Sequence, residues 1–181
     1  MNRSFLQRFF SIIVLIAIAT SCSSNLDFNQ KIEDLSPYFE VTDIFNAEVF
    51  NYSTAITLSG KPSTYPLPSQ SILFDINTKL TDKGIVSYLK KVVFHATFTN
   101  TTNNKCSITV VFRNDYFTLT KYTTTILVSP NTTEKDIFFY ESDIPNLKSV
   151  TNIQFTGFMT LTGSTIPAGK LSVKSDATIY L

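Results

Sequence analysis

The side chains that most often carry out catalysis are few in this sequence and form no recognisable motif. His95 is the only histidine among 181 residues. One histidine cannot supply the paired ligands of a zinc site, nor, without known neighbours, a Ser-His-Asp triad. Two carboxylate pairs, Glu134/Asp136 and Glu141/Asp143, have the two-residue spacing that places both groups on one face of a strand, as glycoside hydrolysis could use. Solvated charges beside turns have the same spacing, so the pairs are no evidence of catalysis. We therefore expect no enzyme activity, and we expect His95 to lie at the surface.

Tyrosines are the side chains best suited to binding. Tyr116, Tyr122, Tyr140 and Tyr180 are predicted to lie near turns or on outward strand faces. A tyrosine ring can stack on a sugar ring or anchor a protein interface, although the absence of tryptophan weakens the sugar interpretation. Amphipathic residues at the rim of a sheet would show the same pattern. The five glycines form no phosphate-binding loop and the acidic residues form no EF-hand loop, so we expect no cofactor and no metal.

The first 22 residues, MNRSFLQRFFSIIVLIAIATSC, end in a further reactive side chain, Cys22. Arg3 and Arg8 form a positive segment. Residues 9–19 form an apolar run that is short for a membrane span and typical of a secretory signal. The segment Ala19-Thr20-Ser21-Cys22 resembles the lipobox of bacterial lipoproteins, in the relaxed form of Bacteroidetes-type lipoproteins, with alanine at 19 where the family usually has leucine. The resemblance implies that the signal is cut before Cys22 and that Cys22 is acylated.

Two other interpretations of the leader are open. Ala17-Ile18-Ala19 is an acceptable cleavage site for an ordinary secreted protein, and an uncleaved membrane anchor fits the short run less well. The choice affects Cys106, the second of the two cysteines. With an acylated Cys22 no intramolecular disulfide can form, whereas a free Cys22 could pair with Cys106 in an oxidising compartment. Cys106 begins an alternating pattern, so we expect it to be a small buried hydrophobe.

Composition indicates one domain on a tether. Residues 1–21 are predicted to be the signal peptide, residues 22–37 an acidic and polar tether, and residues 38–181 a single domain, which is long enough to bury a core. Loss of the leader removes Arg3 and Arg8 and leaves the 14 acidic residues in slight excess. Such a balance gives no reason to expect nucleic acid as a partner. The expected partners are the membrane, through the lipid, and another envelope protein or a glycan.

Alternation of apolar and polar residues predicts strand after strand in the domain. The clearest alternations, residues 89–100 and 106–112, are joined by a polar segment that predicts an antiparallel hairpin. A second hairpin loop is predicted at residues 163–169, before a final strand over 170–181. Residues 71–77 are predicted to form one strand.

Two further segments are predicted to interrupt the strands. Residues 60–69 contain three prolines, which favour an extended loop. Residues 142–147 are predicted to form a short helical turn with a polar cap.

Many short alternating strands with almost no helix predict an all-β fold, an antiparallel β-sandwich of the immunoglobulin-like or jelly-roll-like type, on a lipidated N-terminal tether. We therefore expect a lipid-anchored, noncatalytic binding or structural protein of the cell envelope, at the outer membrane. One alternative is a glycan-binding lipoprotein of a polysaccharide-uptake system, which requires a clustered aromatic platform. The other is a glycoside hydrolase-like enzyme, which requires two carboxylates that converge in a cleft.

Overall fold

The computed structural model describes residues 37–80, 87–114 and 117–181, without the side chains of residues 117–121. The predicted signal peptide, the Cys22 lipidation site, residues 22–36 of the tether and Tyr116 lie outside the described residues. Residues 37–181 form one compact unit. In the described ranges, no helix is long and apolar enough to cross a membrane.

Strands dominate the described part of the chain, as its β-branched and aromatic residues favour. They are β1 (Tyr38–Tyr52), β2 (Ile56–Thr57), β3 (Thr64–Pro66), β4 (Gln70–Leu73), β5 (Lys91–Asn100), β6 (Cys106–Asn114), β7 (Phe117–Val128), β8 (Asn131–Tyr140), β9 (Asn152–Thr160), β10 (Thr165–Ile166) and β11 (Gly169–Tyr180). Helical segments are short: α1 (Ile76–Lys79), a 3-10 turn (Glu141–Asp143) and α2 (Ile144–Leu147). The helical turn predicted at residues 142–147 is therefore present.

The strands form two main antiparallel sheets. Sheet 1 has the order β1-β11-β5-β8, and sheet 2 has the order β3-β9-β6-β7, with β4 also paired to β9. β2 and β10 make a separate two-stranded ribbon. The first strand lies beside the last, and successive strands repeatedly pass from one sheet to the other, which is the arrangement of a jelly roll. The predicted antiparallel β-sandwich is confirmed, and the strand order is the jelly-roll type.

Both predicted hairpins are wrong. β5 belongs to sheet 1 and β6 to sheet 2, and β9 and β11 are divided in the same way. Alternation identifies the apolar face of a strand but does not say whether the next strand lies beside it or across the core. Here the apolar faces meet across the core: the rings of Phe94 on β5 and Phe112 on β6 stack at 5.8 Å with an interplanar angle of 17°.

The connection between β5 and β6 is a corner built on Asn100, which is fully buried. Its Oδ1 accepts hydrogen bonds from the backbone N–H of Thr102 at 3.0 Å and from the Thr102 hydroxyl at 2.7 Å. Its Nδ2 donates to the carbonyl of Asn104 at 2.8 Å. These bonds satisfy a buried amide and turn the chain out of sheet 1, so the polar residues that predicted a hairpin form an inter-sheet corner instead.

The strand predicted over residues 71–77 is also corrected. β4 ends at Leu73, and Asp75 caps α1 because its Oδ1 accepts from the backbone N–H of Asn77 at 2.8 Å. An N-cap aspartate favours a helix start over continued extension. The proline-rich loop before β4 is extended as predicted, and it contributes β3, which pairs with β9 through Thr64–Pro66. Pro66 is tolerated there because β3 is an edge strand.

The core lies between the inner faces of the two sheets and is rich in phenylalanine. Phe94 is fully buried and lies within 6.0 Å, centroid to centroid, of Phe45, Phe74, Phe112 and Phe139. Cys106 is fully buried, as predicted, and burial raises the pKa of its thiol to about 11. Its alternative pairing with Cys22 lies outside the described residues. With the inner faces filled, the side chains available for binding are those of the outer faces and edges.

A candidate aromatic binding surface

The outer face of sheet 1 brings residues from four strands into rows, because the strands pair in register. Tyr38 on β1 is opposite Tyr180 on β11, Tyr180 is opposite Lys91 on β5, and Lys91 is opposite Tyr140 on β8. Since side chains repeat their direction every second residue, Phe138 lies on the same face as Tyr140. These five residues form what we call the aromatic platform.

Most rings of the aromatic platform are open to solvent, which is unusual for large apolar side chains. Tyr38 is 64% exposed, Tyr140 is 56% exposed and Phe138 is 44% exposed. Phe138 and Tyr140 are nearly parallel, with an interplanar angle of 11° and centroids 6.3 Å apart. Tyr38 and Tyr180 are 5.8 Å apart with an angle of 36°. The sheet therefore presents several ring faces on one side without burying them.

Lys91 lies at the centre of the aromatic platform. Its Nζ is 4.9 Å from the ring centroid of Tyr180, 5.6 Å from that of Phe138 and 5.9 Å from that of Tyr140. These distances are within the range of cation–π attraction. The one ion pair found in the described ranges is that of His95 with Asp136, so no described carboxylate lies within 4.0 Å of the Lys91 ammonium.

A polar array crosses the same face beyond the aromatic platform. The Nδ1 of His95 is 2.8 Å from Oδ1 of Asp136, and its Nε2 is 2.8 Å from the hydroxyl of Thr178. Asp176, opposite His95 on β11, accepts from the backbone N–H of Asp43 at 2.8 Å. His95 is therefore on the polar face, as predicted, but it is held between two partners on neighbouring strands.

The atom order of this array, from carboxylate to imidazole to hydroxyl, is that of a hydrolytic triad with threonine as nucleophile. Thr178 is only 8% exposed and lies on β11, which is flanked by β1 and β5. A nucleophile that is this deeply buried in a central strand gives a substrate little access. The array is better suited to presenting fixed hydrogen-bonding groups.

Tyr122 is not part of the row of platform rings; it lies at the sandwich edge between β7 and β8, close to Phe138 and Tyr140. It is half-buried, and its ring centroid is 4.4 Å from that of Phe139. Burial and a hydrogen bond to Asp143 raise its pKa to about 12. The hydrogen bond from Tyr122, followed by one from the backbone N–H of Tyr140 at 3.0 Å, lowers the pKa of the Asp143 carboxyl. Tyr122 thus fixes the end of β8, from which Tyr140 projects.

The edge also contains a groove of about 330 Å³. It is lined by Phe112, Tyr122, Thr123, Thr124, Lys135, Asp136, Ile137, Phe138 and Tyr140. Phe138 and Tyr140 belong both to this groove and to the aromatic platform, so the groove extends the platform around the edge of sheet 1.

We predict that the Tyr122–Asp143 contact makes stability depend on pH at the acid side. A carboxyl whose pKa is lowered by folding contributes stability above its unfolded pKa of about 3.9 and loses it as pH falls through the folded value. Tyr122→Phe removes the hydroxyl donor, so it should be less stable than the wild type at pH 7, with a smaller difference near pH 2.5. Urea unfolding at both pH values measures this difference, and a difference independent of pH would contradict the prediction.

The structure brings together two of the four tyrosines predicted to contact a ligand. Tyr140 and Tyr180 lie in one row, Tyr122 lines the edge groove with Tyr140, and Tyr116 is outside the described residues. Sequence reasoning missed Tyr38, Phe138 and Lys91. The two-residue spacing of Phe138 and Tyr140 could have revealed their shared face, and Lys91 continues the outward positions of His95 and Thr97. Nothing in the sequence pairs Tyr38 with Tyr180, because their contact depends on strand order.

The structure gives Asp136 and Asp143, one from each predicted carboxylate pair, different partners. Asp136 is bound to His95, whereas Asp143 is bound to Tyr122. Among residues 37–80, 87–114 and 117–181, no cluster of three or more His, Cys, Asp or Glu side chains could hold a metal ion.

Comparison with known proteins shows similarity of fold only. No protein-family model matches the chain, and no curated protein matches it. A "putative secreted protein" from Parabacteroides distasonis ATCC 8503 has a TM-score of 0.49 and 15% identity over 64% of this chain and 38% of that chain. The VP2 subviral particle of infectious bursal disease virus has a TM-score of 0.43 and 10% identity, over 80% of this chain and 33% of that chain. A carbohydrate-binding module, CBM4, has a TM-score of 0.32 and 10% identity, over 80% of this chain and 86% of that chain. The chain thus spans well under half the length of the first two proteins.

Proposed function

We propose that this protein is a lipid-anchored, noncatalytic glycan-binding protein of the cell envelope, and that the aromatic platform is its binding surface. The observation that carries the proposal is the exposed row of Tyr38, Tyr180, Lys91 and Tyr140 with Phe138 beside it. This arrangement is the clustered aromatic platform that the glycan-binding hypothesis required.

The geometry of the platform favours an extended, flat ligand. Adjacent strands are about 4.8 Å apart, so a row across four strands is about 14 Å long. The apolar face of a sugar ring can lie on an aromatic ring, and a chain of sugars can contact several rings in succession. The exposed side chains of His95 and Asp136 lie on the same face, where they can exchange hydrogen bonds with sugar hydroxyls.

A protein partner would need a different surface. Protein interfaces bury about 800 Å² on each partner around well-packed, desolvated anchors. On the outer face of sheet 1 the rings are followed directly by hydrogen-bonded polar residues rather than by a larger apolar area. We therefore favour a glycan, and selective binding of a protein at the same rings is the outcome that would replace it.

The cellular location in this proposal is supported by the leader alone. The apolar run of residues 9–19 and the lipobox-like segment ending at Cys22 are those of an acylated, exported protein. Stable anchoring needs two or more acyl chains, which a multiply acylated Cys22 would provide. An anchor outside the cytoplasm would place the aromatic platform where envelope and environmental glycans are found.

Affinity electrophoresis of the full chain through gels that contain a panel of polysaccharides tests the proposal. We expect at least one polysaccharide to retard the wild type and the double variant Tyr140→Ala/Tyr180→Ala to bind it at least about fivefold more weakly, since each ring contact contributes about 0.5–1.5 kcal/mol. Tyr88→Ala is the control, because Tyr88 is 71% exposed and not part of the platform. Equal retardation of the wild type and the double variant, or no retardation by any polysaccharide, would overturn the proposal.

A further inference from the structure

We infer that the aromatic platform selects acidic glycans, and that Lys91 binds the carboxylate of a uronic acid while the neighbouring rings contact the sugar. This inference rests on the proposed function and specifies the ligand class of the same surface. It starts from the position of the Lys91 ammonium among three aromatic rings. Binding of a neutral glycan would not need a positive charge at this position.

The platform is unsuited to a cationic ligand. Aromatic rings grouped around one point commonly hold a ligand cation such as a quaternary ammonium. Here the Lys91 ammonium already lies against the rings of Tyr180, Phe138 and Tyr140, at 4.9, 5.6 and 5.9 Å. A second cation would be repelled by the first, whereas an anion would be attracted.

The charge of Lys91 is available to a ligand. No described carboxylate is close enough to pair with it. Asp136 and Asp176 face the same side of sheet 1, but they lie four positions along the strands from the Lys91 row, about 14 Å away, which exceeds the Debye length in physiological salt. Both already accept hydrogen bonds, from His95 and from the backbone of Asp43 respectively.

Two other acidic residues lie nearer to the row by sheet position. Glu40 is two strands away on β1, and Glu141 follows Tyr140 at the end of β8. Both are exposed to solvent, and neither lies within 4.0 Å of Lys91. Lys90, also exposed, precedes Lys91 and adds positive charge at this end of the sheet. The exposed Glu40 and Glu141 thus leave the Lys91 ammonium unpaired among the described residues, so an approaching carboxylate can contact it.

A uronic acid fits these groups because it combines an apolar ring face with a carboxylate on the same sugar. The ring face can stack on an exposed tyrosine while the carboxylate accepts a charge-assisted hydrogen bond from Lys91. Such a bond is roughly twice as strong as one between neutral groups. A neutral sugar would keep the stacking contact and lose the charged one, so discrimination should come mainly from Lys91.

The test uses chemically matched ligands. Three uronic-acid polysaccharides, polygalacturonate, alginate and hyaluronan, are each compared with their carboxyl-reduced forms, together with a set of neutral polysaccharides, for binding to the full chain. We expect at least one acidic form to bind about tenfold or more tightly than its reduced form, and 0.5 M salt to diminish the preference. Lys91→Met keeps a side chain of similar length without the charge, and it should abolish the preference for the acidic form over its reduced form.

Lys174→Met is the matched control, since Lys174 is exposed on the same face at a distance from the platform. Reduced or neutral polysaccharides that bind as tightly as acidic ones, or a preference that persists in Lys91→Met, would overturn the inference and leave glycan binding standing. Absence of binding to every acidic, reduced and neutral polysaccharide would overturn both the inference and the proposed function.

Discussion

Gly157→Ala is expected to lower the free energy of unfolding by about 3 kcal/mol, because it forces apart two paired strands. Gly157 on β9 is opposite Ile108 on β6, and a Cβ at this position would overlap the backbone carbonyl oxygen of Ser107. That oxygen belongs to the sheet ladder, so it cannot move aside as a flexible side chain could. Relief requires a shift of β9 against β6, which would disturb the centre of sheet 2.

The control for this variant is Gly163→Ala, which lies in the loop after β9. A Cβ at Gly163 would have no neighbouring atom within 4 Å. We expect the stability of Gly163→Ala to stay within about 0.5 kcal/mol of the wild type, as for most surface substitutions. Urea unfolding measures both variants, and equal stability of Gly157→Ala and Gly163→Ala would contradict the strand pairing described here.

Phe94→Ala is expected to destabilise the fold by about 3–5 kcal/mol, the usual range for removal of a large buried aromatic side chain. Phe94 is fully buried at the centre of the sandwich and contacts four other phenylalanine rings. Its loss would leave a cavity that rings from both sheets border. The melting temperature should fall by about 10 °C, measurable by circular dichroism.

Phe138→Ala is the matched aromatic substitution on the other side of the same sheet. Phe138 is 44% exposed, so its removal should cost about 1 kcal/mol or less. The pair separates the two positions of phenylalanine in sheet 1, since Phe94 lies in the core of the sandwich and Phe138 lies in the exposed aromatic platform. Comparable melting temperatures for the two variants would contradict this division.

Local pattern predicted the strands well because the period-two signal is strong in this chain. The inward positions Phe94, Ala96 and Phe98, and likewise Ile108 and Val110, are buried as the alternation predicts. Strand order was harder to predict from the sequence, because a polar connection can close a hairpin or lead to the facing sheet. The buried hydrogen bonds of Asn100 decide the matter at one corner, and their formation depends on tertiary packing.

The candidate surface was only partly predictable for the same reason. Individual tyrosines could be recognised as outward-facing, and Phe138 could have been linked to Tyr140 by spacing. Tyr38 and Tyr180 lie near opposite ends of the domain sequence and become neighbours only when β1 pairs with β11. Lys91 contacts rings on two other strands, β8 and β11, so its surroundings depend on the register of sheet 1.

The most direct test of glycan binding at the aromatic platform is a tyrosine fluorescence titration of the full chain with the glycan that binds best. The protein contains no tryptophan and eight tyrosines, so ring stacking by a ligand is observed without tryptophan emission. We predict a saturable change in emission for the wild type and for Tyr88→Ala, and its loss in Tyr140→Ala/Tyr180→Ala. A saturable change of equal size and affinity in that double variant would place glycan binding elsewhere and contradict the account.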